Sequence, residues 1–173
     1  MAKKKKKKGK LTLGQKASLM LANPGMYSDF IDFMTQIPMQ KGGYIKCPTK
    51  YFSEDELRCK GTGEIKMDEE FMTKLIELRE KLNQPMIITS GYRSEEHNNS
   101  IGGSYKSAHI RGLAVDVGCS GAKAYNIVKL AMELGFQGIG INQHGPHEKR
   151  FIHLDTMTSE VIGVSRPWIW SYK

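Results

Sequence analysis

Short apolar segments of strand length and two longer segments of helical periodicity follow one another irregularly along this chain of 173 residues. This order restricts the fold, because parallel α/β folds need a regular alternation of strands and helices. Apolar residues predict four strands, at Met86 to Thr89, Leu113 to Val117, Phe136 to Ile141 and Phe151 to Thr156. The order therefore predicts an α+β fold, in which a small antiparallel sheet has flanking helices.

Two segments have the apolar spacing of amphipathic helices. The first has Asp68 as its candidate N-cap and a broad apolar face that continues to about Leu82, and Pro85 would stop it. The second extends from Ser120 to Leu134, so that it begins at a good capping residue, and Gly135 follows its end. These features predict where each helix begins and ends.

The net charge of the chain is concentrated at its N-terminus. Residues 1–18 contain eight lysines and no acidic residue, so the remaining 18 Lys+Arg balance the 18 Asp+Glu. The lysine run from Lys3 to Lys8 could bind nucleic acid, anionic lipid, a wall polymer or an acidic protein surface by charge attraction. A solvated, disordered arm is the alternative interpretation. Nucleic-acid recognition is the weaker interpretation of these, because no base-reading or stacking motif accompanies the lysines.

Two short amphipathic segments follow the basic arm. Leu11 to Leu21 could form one helix, and apolar residues within 27–34 fall on one face of a second. Such segments either pack on the core or dock a partner. We therefore predict a basic N-terminal extension with short helices over residues 1–50 and a catalytic-type domain over residues 51–173.

Signals for a particular compartment are weak. The lysine run resembles the start of a secretory signal, but Gly14 and Lys16 interrupt the apolar stretch that should follow. No apolar run is long enough to span a membrane. The three cysteines, Cys47, Cys59 and Cys119, have no metal-like spacing and are predicted to be reduced and partly buried. A Cys47–Cys59 bridge is the alternative.

Two histidines and one aspartate form a candidate zinc site. His109, Asp116 and His153 lie within one 45-residue stretch, and two imidazoles with one carboxylate suit Zn²⁺. Three protein ligands leave a fourth position for water, as in catalytic zinc sites. Asp116 shares a strand face with Ala114, and His153 lies on another predicted strand, so pairing of the two strands would complete the site. A chance His-x6-Asp pair and an ordinary strand histidine are the alternatives.

Several ordered motifs surround these residues and resemble one known family. The motifs are Thr-Ser-Gly-Tyr-Arg-Ser at 89–94, Glu-His-Asn at 96–98, Gly-Gly at 102–103, Ser-x-His-x-x-Gly-x-Ala-x-Asp at 107–116 and Phe-Ile-His-Leu-Asp-Thr at 151–156. Together they resemble the zinc D-Ala-D-Ala carboxypeptidase family, which includes peptidoglycan endopeptidases, phage endolysins and vancomycin-resistance dipeptidases. The hedgehog signalling domain is a structural cousin of this family. The resemblance extends from about Tyr51 to Trp170.

The resemblance implies roles for an arginine and a serine. Arg93 would hold substrate and stabilise the charge that develops on the scissile carbonyl. The alternative for Arg93 is a surface salt bridge to Glu95 or Glu96. Ser107 would hydrogen-bond within the site or to substrate, and a turn-forming serine is its alternative.

The general base is the least defined of the implied residues. Many members of the resembled family have an acid three residues before the last histidine, and some have a histidine two before it. Arg150 and Phe151 occupy those positions here. We therefore assign the base to Glu148, on the loop before the final strand. Asp155 shares a face with His153 and is either a second catalytic carboxylate or the partner that orients a metal ligand.

These observations predict a zinc-dependent peptidase that hydrolyses peptide bonds of bacterial peptidoglycan, as a D,D-carboxypeptidase or an endopeptidase. Peptidoglycan stem peptides would be its substrate, and virion proteins or a polyanion could bind the arm from Lys3 to Lys8. The missing signal peptide and the wall chemistry suggest a phage lysin or virion-associated enzyme, located in the host cytoplasm until lysis or in the virion. The alternative is a structural or binding component of a phage particle that retains the peptidase fold with little activity.

Overall fold

The computed structural model describes residues 51–159 and 165–173, which form a mixed α+β fold. Its helices are α1 (Glu54–Leu57), α2 (Glu69–Leu82), α3 (Glu95–Ser100) and α4 (Gly121–Glu133), with two short 3-10 helices at Ala108–Arg111 and His147–Lys149. Its strands are β1 (Ile87–Ser90), β2 (Ala114–Gly118), β3 (Gly138–Asn142), β4 (Phe151–Asp155) and β5 (Trp168–Ser171). The predicted fold class is confirmed. The predicted basic arm and N-terminal helices lie outside the described residues.

Helix α2 begins and ends as its sequence dictates. The side chain of Asp68 accepts a hydrogen bond from the backbone N–H of Phe71 at 2.9 Å, which confirms Asp68 as the N-cap. A cap of this kind contributes about 1 kcal/mol. The helix ends because Asn83 adopts a left-handed conformation with φ of 49°, two residues before Pro85. The proline therefore follows a helix that has already ended.

The five strands form one sheet in the order β1-β2-β4-β3-β5. The first four pair antiparallel with their neighbours, as predicted, whereas β5 pairs parallel with β3. Strand β5 was not predicted from the sequence. Its side chains do not show the usual alternation of buried and exposed positions, because Trp168 and Ile169 are 56% and 49% exposed.

The two faces of the sheet have different chemistry, because side chains alternate along each strand. One face is apolar and packs on the helices, where α2 contacts α4 and α4 contacts β4. This face is buried and contributes Val115, Val117, Ile139, Ile152 and Leu154. The opposite face carries the polar residues of β2 and β4. The helices thus support the sheet from behind, and the candidate site lies on the other side.

Two of the three cysteines fall within the described residues. Cys59 and Cys119 are free and buried, as predicted. Cys47 itself lies outside the described residues. Across 51–159 and 165–173, none of the helices combines the length and apolar character needed to cross a bilayer.

Candidate metal centre

The fold brings His109, Asp116 and His153 together. Asp116 on β2 lies directly opposite His153 on β4 in the antiparallel register. His109 reaches them from the 3-10 helix that precedes β2. All three residues are buried, and one ligand atom from each lies within 4.8 Å of the others. The predicted strand pairing therefore does place the three side chains at one point.

The chain turns sharply between His109 and Asp116, and two neighbours shape that turn. Ser107 caps the 3-10 helix, since its Oγ accepts a hydrogen bond from the backbone N–H of His109 at 3.3 Å. Gly112 ends it with φ of +71°, a conformation that glycine adopts without strain. A Cβ at Gly112 would also collide with the backbone carbonyl of Lys66. Ser107 thus has an observed role in the turn, and its role toward substrate stays a prediction.

The atoms that face one another have the spacing of a zinc coordination shell. His109 Nε2 lies 3.2 Å from His153 Nδ1 and 3.3 Å from Asp116 Oδ1. His153 Nδ1 and Asp116 Oδ1 are 2.9 Å apart. Bonds of about 2.0–2.1 Å at tetrahedral angles place neighbouring ligand atoms about 3.3 Å apart. The three atoms therefore fit one small cation.

Hydrogen bonds on the far side of each ring set which nitrogen faces the centre. His109 Nδ1 lies 2.7 Å from the carbonyl oxygen of Gly91, which can only accept, so this nitrogen carries the proton. His153 Nε2 lies 3.3 Å from Asp155 Oδ2, which favours a proton there in the same way. The lone pair of His109 Nε2 and the Asp116 oxygen then point at His153 Nδ1. Such acceptors repel one another unless a proton or a metal ion lies between them.

The electrostatics of the centre favour an ionised aspartate. Burial would raise the pKa of Asp116, but the charges and hydrogen bonds of His109 and His153 hold that pKa far below its usual range. Burial lowers the pKa of His109. Burial would also lower the pKa of His153, but hydrogen bonds with Asp116 and Asp155 raise it above its usual value. The centre therefore offers a negatively charged oxygen beside two imidazoles.

Arg93 contacts the centre through Asp116. Its Nη2 donates to Asp116 Oδ2 at 2.7 Å, and its Nε donates to Ser90 Oγ at 2.9 Å. The alternative of a surface salt bridge to Glu95 or Glu96 is therefore wrong, because the ion pair of Arg93 is with Asp116. The arginine side chain is 18% exposed, and its hydrogen bonds to Asp116 and Ser90 hold its guanidinium in place.

Asp155 lies behind His153 and is almost fully buried. Its Oδ2 faces His153 Nε2 and accepts a hydrogen bond from Arg166 Nη2 at 3.1 Å. Its Oδ1 accepts from the backbone N–H of Met157 at 2.9 Å. Both oxygens are therefore committed to protein groups, and the carboxylate is placed to orient His153.

Glu148 lies on the 3-10 helix of the loop between β3 and β4, and its side chain is exposed. No hydrogen bond or ion pair joins its carboxylate to another residue in the described part of the chain. The structure thus brings the three candidate ligands, Arg93 and Asp155 together but leaves Glu148 on the loop. Its assignment as the base stays a prediction.

Trp170 of β5 and Tyr172, which follows that strand, border the centre, and no role was predicted for them. The ring of Trp170 lies 5.3 Å from that of His153, and the ring of Tyr172 lies 5.1 Å from that of Phe151. Gly140 leaves room for both, since a Cβ there would stand 2.8 Å from the Trp170 and Tyr172 rings. The spacing of Trp168, Trp170 and Tyr172 by two residues is the signal that could have indicated a strand with one aromatic face.

Comparison with known proteins agrees with this geometry. Residues 50–155 match a family model described as Peptidase M15. The chain is 32% identical over 90 residues to the peptidoglycan L,D-endopeptidase MepK of Escherichia coli K12, and equally to those of Escherichia coli O157:H7 and Shigella flexneri. These alignments cover 49% of this chain and 44% of each relative. The chain thus matches less than half the length of these relatives.

Proposed function

This chain belongs to the peptidase M15 family, and on that premise we propose that it is a zinc-dependent peptidase that hydrolyses peptide bonds of bacterial peptidoglycan. The convergence of His109 Nε2, Asp116 Oδ1 and His153 Nδ1, at 2.9–3.3 Å from one another, carries the proposal. Zinc suits this set better than calcium or magnesium, which prefer oxygen ligands.

The three residues would hold the ion on the polar face of the sheet. When bound, zinc would polarise a carbonyl and make water a better nucleophile near neutral pH. Asp116 contributes its charge, and both histidines are oriented by acceptors behind them, Gly91 and Asp155. The protein therefore provides a rigid set of ligands before any ion binds.

Arg93 is the residue that we propose to hold the substrate carbonyl. A guanidinium has five N–H donors. Its bonds to Asp116 and Ser90 hold the group and leave other N–H groups for substrate. A rigid cation near the scissile carbonyl would stabilise the negative charge that develops on its oxygen. Ser107 is proposed to assist at the same edge of the site.

Proton transfer is proposed to depend on Glu148. Its exposed carboxylate would take a proton from the attacking water and return it to the leaving amine nitrogen. The loop that carries it leads directly into β4 and therefore into His153. Asp155, the other candidate acid, is assigned an orienting role instead, because hydrogen bonds occupy both of its oxygens.

The substrate proposed is the peptide stem or cross-link of peptidoglycan. Its support is the name of the relatives, which are peptidoglycan L,D-endopeptidases. This name favours an endopeptidase over a carboxypeptidase. The resembled family includes phage endolysins, so we propose a lytic enzyme that acts from the host cytoplasm at lysis or from a virion. The arm from Lys3 to Lys8 would attach it to a polyanion or to virion proteins.

Digestion of purified peptidoglycan tests this function. Protein reconstituted with zinc should release soluble muropeptides, and mass spectrometry of the products would identify the bond. Chelator-treated protein and the His153→Ala variant should release none. If the zinc-loaded protein binds peptidoglycan but cleaves neither polymer nor soluble stem peptides, it is not a peptidase on this substrate.

A second candidate function follows from the acidic residues that contact the central histidines. Within the described residues, the carboxylates that contact the central histidines are Asp116 and Asp155, and neither has an oxygen positioned as a free base. A structural or binding component of a phage particle that retains the fold with little activity fits this observation. Binding to walls or virion parts without product release in the digestion experiment would support it.

A further inference from the structure

A buried ion pair lies behind the metal centre. Arg166 Nη2 donates to Asp155 Oδ2 at 3.1 Å, and the same oxygen lies 3.3 Å from His153 Nε2. Arg166 Nη1 donates to the backbone carbonyl of Gln137 at 3.4 Å, which ties the guanidinium to the start of β3. The side chains of Arg166 and Asp155 are only 5% and 2% exposed. An unbroken chain of contacts therefore leads from Arg166 to a candidate ligand.

Trp170 closes this chain into a ring of four side chains. The guanidinium carbon of Arg166 lies 5.6 Å from the centre of the Trp170 ring, within the range of a cation–π contact. The Trp170 ring lies 5.3 Å from that of His153. Parallel pairing of β5 with β3 sets Trp170 beside Gly140, which in turn pairs with His153. Asp155 thus contacts the Nε2 atom of His153, and Trp170 packs against the imidazole ring.

Gly138 provides the space for the ion pair. It pairs with Asp155 on one side and with Trp168 on the other. A Cβ at Gly138 would collide with the carboxylate of Asp155 and with the guanidinium of Arg166. The position therefore tolerates no side chain while the pair has its present geometry.

A buried ion pair is an inefficient way to stabilise a fold. The cost of removing both charges from water offsets most of their attraction, and apolar residues of similar volume often serve stability as well or better. The pair of Arg166 and Asp155 instead determines where one carboxylate oxygen lies. That oxygen selects which nitrogen of His153 faces His109 and Asp116.

We propose that Arg166 is a positioning residue of the metal centre, which acts through Asp155 to hold His153 with its Nδ1 toward the ion. The inference rests on the proposed function only in taking His153 as a metal ligand. Loss of a partner that bonds a ligand directly, as Asp155 bonds His153, commonly lowers metal affinity by about 10- to 100-fold, and we expect an effect of the same order for Arg166, which holds that partner in place. Arg166 would therefore control metal affinity without touching metal or substrate.

Zinc affinity, measured by competition with a chromophoric chelator, tests the proposal on the full chain. Arg166→Gln should weaken binding by about 10- to 100-fold, and Arg166→Lys should weaken it less because a cation remains. Arg79→Gln is the matched control, since Arg79 also lies over an aromatic ring, at 5.2 Å from that of Tyr51, but on α2 behind the sheet. The control should bind zinc as the unmodified protein does.

A double-mutant cycle separates positioning from general destabilisation. If Arg166 acts through Asp155, Arg166→Gln should have little further effect on zinc affinity in an Asp155→Asn background. The absorption spectrum of the Co²⁺-substituted protein should change in Arg166→Gln and stay unchanged in Arg79→Gln. Additive losses in the cycle would overturn the proposal, and so would wild-type zinc affinity in Arg166→Gln.

Two further measurements keep the outcome decisive. Thermal unfolding of each metal-free variant shows whether it folds. If Arg166→Gln does not fold, Arg166→Lys replaces it in the zinc-affinity measurements. His153→Ala establishes whether His153 is a ligand at all. Unchanged zinc affinity in that variant would overturn both this inference and the proposed metal centre. Weak binding in His153→Ala with normal binding in folded Arg166 variants would overturn this inference alone.

Discussion

Asp116 and His153 lie directly opposite each other on adjacent antiparallel strands, and Asp116 Oδ1 is 2.9 Å from His153 Nδ1. Neighbouring strands hold opposed residues at a set distance, so this pair is part of the sheet itself. His109 then needs only one turn of 3-10 helix to reach both atoms. Backbone pairing between the two strands thus positions two of the three candidate ligands. A side-chain substitution at either residue should therefore leave the strand backbone in place.

We expect one zinc ion per chain and its loss in His153→Ala, because two remaining ligands hold zinc weakly. Metal analysis of purified protein after dialysis measures this. His144→Ala is the control, since His144 is an exposed histidine on the loop between β3 and β4. Stoichiometric zinc in His153→Ala would exclude His153 as a ligand.

Arg93→Ala should lower peptide turnover by about 100-fold, the usual scale for loss of one donor to a developing oxyanion. It should also weaken zinc binding, because Asp116 loses the donor that orients its carboxylate. Turnover of a soluble stem peptide at saturating zinc separates the two effects. Arg79→Ala should change neither. Wild-type turnover in Arg93→Ala would restrict Arg93 to its structural bond with Asp116.

Glu148→Gln should reduce turnover by about 100-fold or more, because the water would lose its base. Zinc affinity should not change, since Glu148 is exposed and makes no contact with the central histidines in the described structure. Glu133→Gln, an exposed acid at the end of α4, is the control. Equal turnover in both variants would assign the proton transfer to another group.

Deletion of Met1 to Lys10 should leave turnover of a small soluble peptide unchanged, because residues 1–18 carry the net charge and the rest of the chain is balanced. It should weaken co-sedimentation with walls or other polyanions. Added salt should weaken binding of the full-length protein in the same way, since salt screens exposed charges. Loss of peptide turnover on truncation would instead make the arm part of the fold or the active site.

Local patterns were sufficient for most elements of the described fold. The period-two pattern around Asp116 and His153 predicted two strands and the faces of their polar residues, and Asp68 predicted the start of α2. These features depend on residues close together in sequence. Strand β5 is harder to predict because Trp168, Ile169 and Trp170 are apolar at three successive positions, so the alternation of apolar and polar residues seen around Asp116 is missing, and only the two-residue spacing of its aromatic residues indicates a strand.

By itself, the sequence determined the fold class, the candidate ligands His109, Asp116 and His153, and the family resemblance, because residue type and short-range spacing carry that information. Only the tertiary structure decided how these ligands are supported. Arg93 bonds to Asp116, and Arg166 bonds to Asp155 behind His153. These ion pairs join residues 23 and 11 positions apart, and the chain contains 18 acidic residues from which each arginine could take its partner. Long-range packing of strands selects among them, and no local pattern records that choice.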